Sequence, residues 1–351
     1  MSAFYALPED QQDKIWSLNW ADTTASPLLG YMGQQIVPKV RVLQCILSKE
    51  ANQRTAEDDF FLANDVPKLQ EATKMCRIAA RWHAGRYSLV DLPENERGQL
   101  PPNTPITGLF VETARLRHSC VPNCYAHYNP ATNLMTVHAT KAITSGDELT
   151  LSTIASVYYL SASDRAAELQ AKFGIACACE ACDHEHHNFT THESARMLSH
   201  TRAIHLEHFC TLLAMLDSSN VCADLCLKDE DRPDPPDLED LRDAENTCLA
   251  LITNLKDTEC DGPELIRWYN ALIDRIQPRA ADLLGHGERY TWWRFISRHA
   301  GECVKIAGRA FGEDSIEYAQ VVLRLDRIEG LVKGAEERAK ELEESKKKVG
   351  G

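Results

Sequence analysis

Four cysteines stand in a pattern that suits a metal ion. Cys177, Cys179 and Cys182 lie in the run Ala-Cys-Ala-Cys-Glu-Ala-Cys-Asp, a CxCxxC spacing, and Cys120 lies 57 residues before the first of them in Leu-Arg-His-Ser-Cys-Val-Pro-Asn-Cys. A structural zinc site takes four thiolate or imidazole ligands in a closed tetrahedron. One tight turn supplies three sulfurs, so the fourth ligand has to come from a distant piece of chain. Cys120 suits that place because it precedes a Val-Pro step and strands follow it that can carry the chain back. His118, Cys124, His184, His186 and His187 compete for it. Three reduced thiols in so polar a stretch are a liability without a metal, which favours the zinc reading.

The remaining chain limits what such a site can serve. At 351 residues there is room for two or three domains with cores of their own. The start Met-Ser-Ala-Phe-Tyr-Ala-Leu-Pro-Glu-Asp-Gln-Gln has no basic segment leading into an apolar one, and no run is long enough to span a membrane. We therefore expect a cytoplasmic protein, a nuclear place being open too, with reduced thiols and no membrane partner. Cys45, Cys76, Cys210, Cys248, Cys260 and Cys303 sit singly among apolar residues and read as core packing. Cys222 and Cys226 have no second pair nearby. A net charge of −14, with acids crowded between Asp229 and Glu245, argues against a nucleic-acid surface, which needs a lysine and arginine footprint.

The elements that must position the cysteines fall into three parts: residues 1–107, 108–183 and 184–351. The first is helical, with segments near Glu9–Trp20, Pro38–Ser48 and Val66–His83, and ends in a polar, proline-rich loop over Asp91–Pro105. In the second, strands are expected at Cys124–Tyr128 and Leu134–Ala139 around an Asn-Pro-Ala-Thr-Asn turn, and at Glu148–Thr153 after a Thr-Ser-Gly-Asp turn. A short helix, capped by Ser161 or Ser163 and stopped at Gly174, then delivers the chain to CxCxxC. The third part is all-helical, broken at Asp229–Asp237, near Asp261–Pro263 and around Gly312–Asp314, an array like tandem helical repeats that could hold a protein partner. Its charged end, Gly334–Lys348, is expected to fray into solvent.

These runs resemble a known family. Leu116-Arg-His-Ser-Cys-Val-Pro-Asn, the hairpin ending Thr136-Val-His-Ala-Thr-Lys, Gly146-Asp-Glu-Leu-Thr-Leu-Ser and then CxCxxC are similar, in order and spacing, to the second half of a SET domain with its post-SET zinc cluster. The closest flavour is the SMYD-like SET proteins common in fungi. The resemblance covers residues 108–183 and implies an α+β fold: a partial SET β-fold with a helical insertion, the zinc site, and a helical C-terminal domain. It implies zinc on Cys120, Cys177, Cys179 and Cys182, and, as the family's activity, methyl transfer from S-adenosylmethionine to lysine.

Several positions depart from the family pattern. Arg117 stands where the family has an asparagine that contacts the cofactor, and a guanidinium cannot accept a hydrogen bond. Seven steps from Gly146, where the family has a tyrosine that orients the lysine amine, the chain has Thr153; Tyr158 and Tyr159 come later. No Gly-x-Gly strands precede residue 108, Gly30 and Gly33 having the wrong spacing and Gly285-His-Gly287 lying in the helical part. Only Cys45 and Cys76 occur upstream, too few for the MYND zinc insertion. The losses fall on cofactor binding and amine positioning, so S-adenosylmethionine is not expected as a cofactor. The expected function is a cofactor-free cyclase, Diels-Alderase-like, that folds an apolar polyene for an intramolecular cycloaddition, a role the resemblance suggests through fungal secondary metabolism. Arg117, His118, Thr153, Tyr158 and Tyr159 are its candidate catalytic residues. An active protein-lysine methyltransferase and a non-catalytic interaction protein are the alternatives. The plainer reading pairs Arg117 with a carboxylate and buries both tyrosines.

Overall fold

The computed structural model describes residues 2–18, 27–88, 107–217, 234–284 and 286–349. The loop expected at Asp91–Pro105, Cys222 and Cys226, most of the acidic linker and Gly285 lie outside them. The fold is mixed α and β and predominantly helical. The chain forms two compact units, one of residues 1–117 with 163–177, the other of 118–162 with 178–351. Among the described residues no helix is long and apolar enough to cross a membrane.

In the first unit the helices are α1 (Ser2–Tyr5), α2 (Glu9–Trp16), α3 (Pro27–Leu47) and α4 (Ala56–Gly85). Thr55 starts α4 through a capping box: its hydroxyl accepts the Asp58 amide while the Asp58 carboxylate accepts the Thr55 amide. Helix α3 begins before Pro38 and runs through it, and α4 does the same at Pro67, because one proline removes only one bond of the ladder. Arg81 binds α4 to the end of α2 by donating to the Leu18 and Trp16 carbonyls, with its guanidinium over the Trp16 ring. The strands β1 (Arg86–Ser88) and β2 (Thr107–Leu109) pair antiparallel. Helix α5 (Ala162–Phe173) follows Ser161 directly and stops where expected. Gly174 takes φ +63°, and the amides of Gly174 and Ile175 return to Gln170 and Leu169, the Schellman stop that a glycine permits.

The second unit carries the hairpin of β4 (Cys124–Asn129) and β5 (Leu134–Ala139), with Cys124 opposite Ala139 and Asn129 opposite Leu134. Its turn uses Asn129, whose side chain accepts the Ala131 amide, and Asn133 at φ +55°. The strand expected at Glu148–Thr153 is shorter: only β6 (Thr150–Leu151) pairs, with β3 (Arg117–His118). Side chains replace the ladder on either side of it. Asn123 donates to the Glu148 carbonyl and accepts the Thr150 amide, and His118 takes the Thr153 amide.

Beyond the cysteine cluster run α6 (Phe189–Asp217), α7 (Leu238–Asp257), α8 (Glu264–Ala271), a π turn (Leu272–Ile276), α9 (Gln277–Leu283), α10 (His286–Phe311) and α11 (Ile316–Val349). Asp237, the end of the acidic linker, caps α7 by accepting the Glu239 and Asp240 amides. The π turn has a cause in sequence: Pro278 has no amide to give the Asp274 carbonyl, so the helix widens one turn earlier. Leu241, Leu251, Leu255, Leu265, Leu272 and Ile276 fill the core between these helices. Cys248, Cys260 and Cys303 are buried as expected, whereas Cys45 is exposed on α3 and Cys76 and Cys210 are half-buried. Helix α11 continues through the segment expected to fray, because pairs such as Glu336 and Lys340, 2.9 Å apart one turn on, support a helix that no proline interrupts.

Candidate metal centre

The four cysteines meet. The sulfurs of Cys120, Cys177, Cys179 and Cys182 all lie within 4.8 Å of one another, with Cys120 and Cys182 at 3.5 Å. Tetrahedral zinc with bonds of about 2.3 Å sets its sulfurs about 3.8 Å apart, so the group fits the ion. Cys177 is the residue bonded to Ala178 at the boundary of the two units. Cys124 lies buried at the start of β4, and neither it nor His184, His186 or His187 belongs to the group; His184 packs on Phe189, and His186 faces His187 and Glu180.

Local chemistry holds the Cys179–Cys182 turn and Cys120 in place. The amides of Cys182 and Asp183 both return to the Cys179 carbonyl, closing the turn over the fully buried Ala181. Cys120, fully buried, follows Ser119, whose amide donates to the Leu151 carbonyl of β6 and whose hydroxyl accepts the Val121 amide. The carbonyl of Cys120 accepts from Arg196 Nη2 at 3.2 Å, and Arg196 Nε donates to Val157 at 3.2 Å. Arg196 is itself fully buried on α6. Sequence reasoning missed it, since nothing distinguishes one arginine on a long helix from a solvated one. It also left Asn123 without a role, although the Val-Pro-Asn run holding it was in view; the structure makes Asn123 the clip between the Cys120 loop and β6.

The five candidate catalytic residues separate into different surroundings. Arg117 is exposed on β3. His118 and Thr153 touch: the Thr153 amide donates to His118 Nδ1 at 3.0 Å, the Thr153 hydroxyl lies 3.1 Å from the same nitrogen, and His118 Nε2 lies 3.4 Å from Cys120 Sγ. Tyr158 is buried beside Cys260, and burial raises its phenol well above the usual tyrosine range. Burial likewise pushes the Cys260 thiol up to about 12. Tyr159 is half-buried; its hydroxyl donates to Glu264 at 2.5 Å and accepts from the Trp268 indole at 2.6 Å. Burial and then the Glu264 carboxylate hold that phenol protonated.

Residues 32–152 match the SET domain family model. The chain carries a SET domain. The match starts inside α3, takes in α4 upstream of the motifs as well as the strands, and ends one residue before Thr153. A curated relative, the histone-lysine N-methyltransferase set5 of Schizosaccharomyces pombe, is 35% identical over 78 residues, which are 22% of this chain. The chain spans 24% of that relative's length. The scaffold is thus SET-type and methyltransferase-like, with a cysteine group that can hold a metal and is compatible with zinc.

Proposed function

We propose that this chain uses its SET scaffold without transferring methyl groups from S-adenosylmethionine, and that its chemistry is the shape-directed cyclisation of an apolar polyene by intramolecular cycloaddition. One observation carries the first half. Thr153, at the step where the family resemblance implies an amine-orienting phenol, is turned onto His118 by both its amide and its hydroxyl. The two phenols that follow are engaged elsewhere, Tyr158 by burial and Tyr159 by Glu264 and Trp268. Methyl transfer needs donor and acceptor in line at near-attack distance, and a site without the orienting group gives up orders of magnitude. A cycloaddition asks less: a shaped apolar surface and a donor to polarise a carbonyl. Arg117, exposed on β3, is the donor this reading assigns.

Active lysine methylation is the second reading, supported by the match to the fission-yeast enzyme. Calorimetric titration with S-adenosylmethionine and its demethylated product separates the two. No binding tighter than about 100 μM is expected, a threshold set at weak cofactor affinity; tighter binding, with methylation of a lysine peptide, establishes the second reading instead. In a parallel incubation a linear polyene carrying a conjugated carbonyl should give a cyclised product of unchanged mass, and less of it with Arg117→Met. Equal rates with and without protein would remove the cyclisation half and leave a scaffold.

A further inference from the structure

His118 stands between two sets of atoms that fix which of its ring nitrogens can donate. An amide nitrogen only donates, so the Thr153 amide 3.0 Å from Nδ1 requires a lone pair on that nitrogen. The neutral ring then carries its proton on Nε2, and Nε2 lies 3.4 Å from the sulfur of Cys120. A sulfur that binds zinc does so as a thiolate, and a thiolate is an acceptor for such an N–H. Arg196 already holds the carbonyl of the same residue, so Cys120 is seated at both its main chain and its sulfur.

We infer that His118 is a positioning residue of the metal centre: its Nε2–H donates to the Cys120 thiolate, and the Thr153 amide fixes the tautomer that makes this possible. The arrangement is a short chain of donors running from the end of β6 through the imidazole to the metal ligand. It gives His118 a role at the metal centre in place of a catalytic one, and it separates the histidine from the ligand set itself. It also explains why the backbone leaves the sheet at Thr153, since an amide spent on an imidazole cannot continue a strand ladder. The inference concerns the metal centre alone and stands whether or not the chain methylates or cyclises anything.

The test measures metal, not turnover. Zinc-loaded wild type, His118→Ala and His118→Gln are mixed with excess chelator and the release rate is followed with a chromogenic zinc indicator. Loss of a hydrogen bond from a residue behind a ligand weakens metal binding about 10- to 100-fold, so His118→Ala should release zinc faster by about that factor. Glutamine places an amide N–H near the position of Nε2 and should restore most of the retention. Cobalt(II) substitution gives a readout that a merely structural role would not move. A hydrogen bond lowers the energy of the sulfur lone pair, so the sulfur-to-cobalt charge-transfer bands of His118→Ala should shift to longer wavelength while keeping their four-sulfur intensity. Unchanged bands and unchanged release in His118→Ala would overturn the inference. A wild-type spectrum of three sulfurs and one nitrogen, turning to a different set in the variant, would overturn it too, by making His118 a ligand.

Discussion

Arg196→Met is the most telling single change available in the second unit. The guanidinium is fully buried on α6 and donates to the carbonyls of Cys120 and Val157, each at 3.2 Å, with the Glu193 carboxylate 3.9 Å away. Methionine nearly matches the length of the stem and fills its volume with apolar atoms, so the cavity term is small. What remains is two buried carbonyls without partners, about 1–3 kcal/mol each. Removing the cost of burying the charge offsets part of this, leaving an expected loss of about 2–4 kcal/mol. Against a typical total of about 5–15 kcal/mol that is a large fraction. Urea unfolding of the zinc-loaded protein, followed by tryptophan fluorescence, should show the midpoint fall at unchanged slope. Zinc release should quicken as well, because the Cys120 loop loses its anchor. A loss below about 0.5 kcal/mol, the ordinary scatter of surface changes, would refute the reasoning and show that water or other donors satisfy both carbonyls.

Three more outcomes are expected. Purified protein should hold one zinc per chain by elemental analysis, and Cys182→Ala should hold none, because three remaining sulfurs leave the tetrahedron open. Gly312→Ala should cost more stability than Gly146→Ala. Both glycines have positive φ, +86° and +101°, a strain of about 1–3 kcal/mol for alanine, but a Cβ at Gly312 would also meet Asp314 and His138 within 2.8 Å while one at Gly146 meets nothing. Burial lowers the pKa of His192 and His299 below the usual 6.5. Their contribution is therefore fully present above about pH 6.5 and is lost as pH falls toward the folded values, since the unfolded chain takes up protons the folded one refuses. The double variant His192→Gln/His299→Gln should flatten stability against pH between 7 and 5; an unchanged slope would mean both rings accept protons in the fold.

The parts of the fold that were legible in sequence are those where one residue type has one physical use. Gly174 and Gly312 end helices at positive φ, and Asn133 turns the hairpin. The CxCxxC turn and its distant fourth cysteine were legible for the same reason: thiolates at that spacing have little else to do. What was not legible depends on tertiary partners. The strand after Gly146 looked long because its composition alternates, yet Asn123 and His118 take its amides and carbonyls first. Cys45 looked like core and is exposed, since an apolar helix face gives no sign of whether anything covers it. Tyr158 and Tyr159 could be assigned to a site or to a core only once Cys260, Glu264 and Trp268 were known to lie beside them.

The contacts that make the scaffold run largely through the backbone, and this bears on what family resemblance can vouch for. Ser119, Asn123 and Arg196 secure the Cys120 loop through carbonyls and amides, which every residue supplies. Thr153 enters that framework through its own amide, so the backbone there is held the same way whatever side chain the position carries. Residue 153 itself lies just beyond the matched segment. Similarity over residues 32–152 therefore speaks for strands, turns and the first metal ligand, and not for residue 153, which lies outside the matched segment. The four cysteines belong to the scaffold, the first of them beside His118, so metal content reports on the scaffold and cofactor affinity on the chemistry, and neither measurement substitutes for the other.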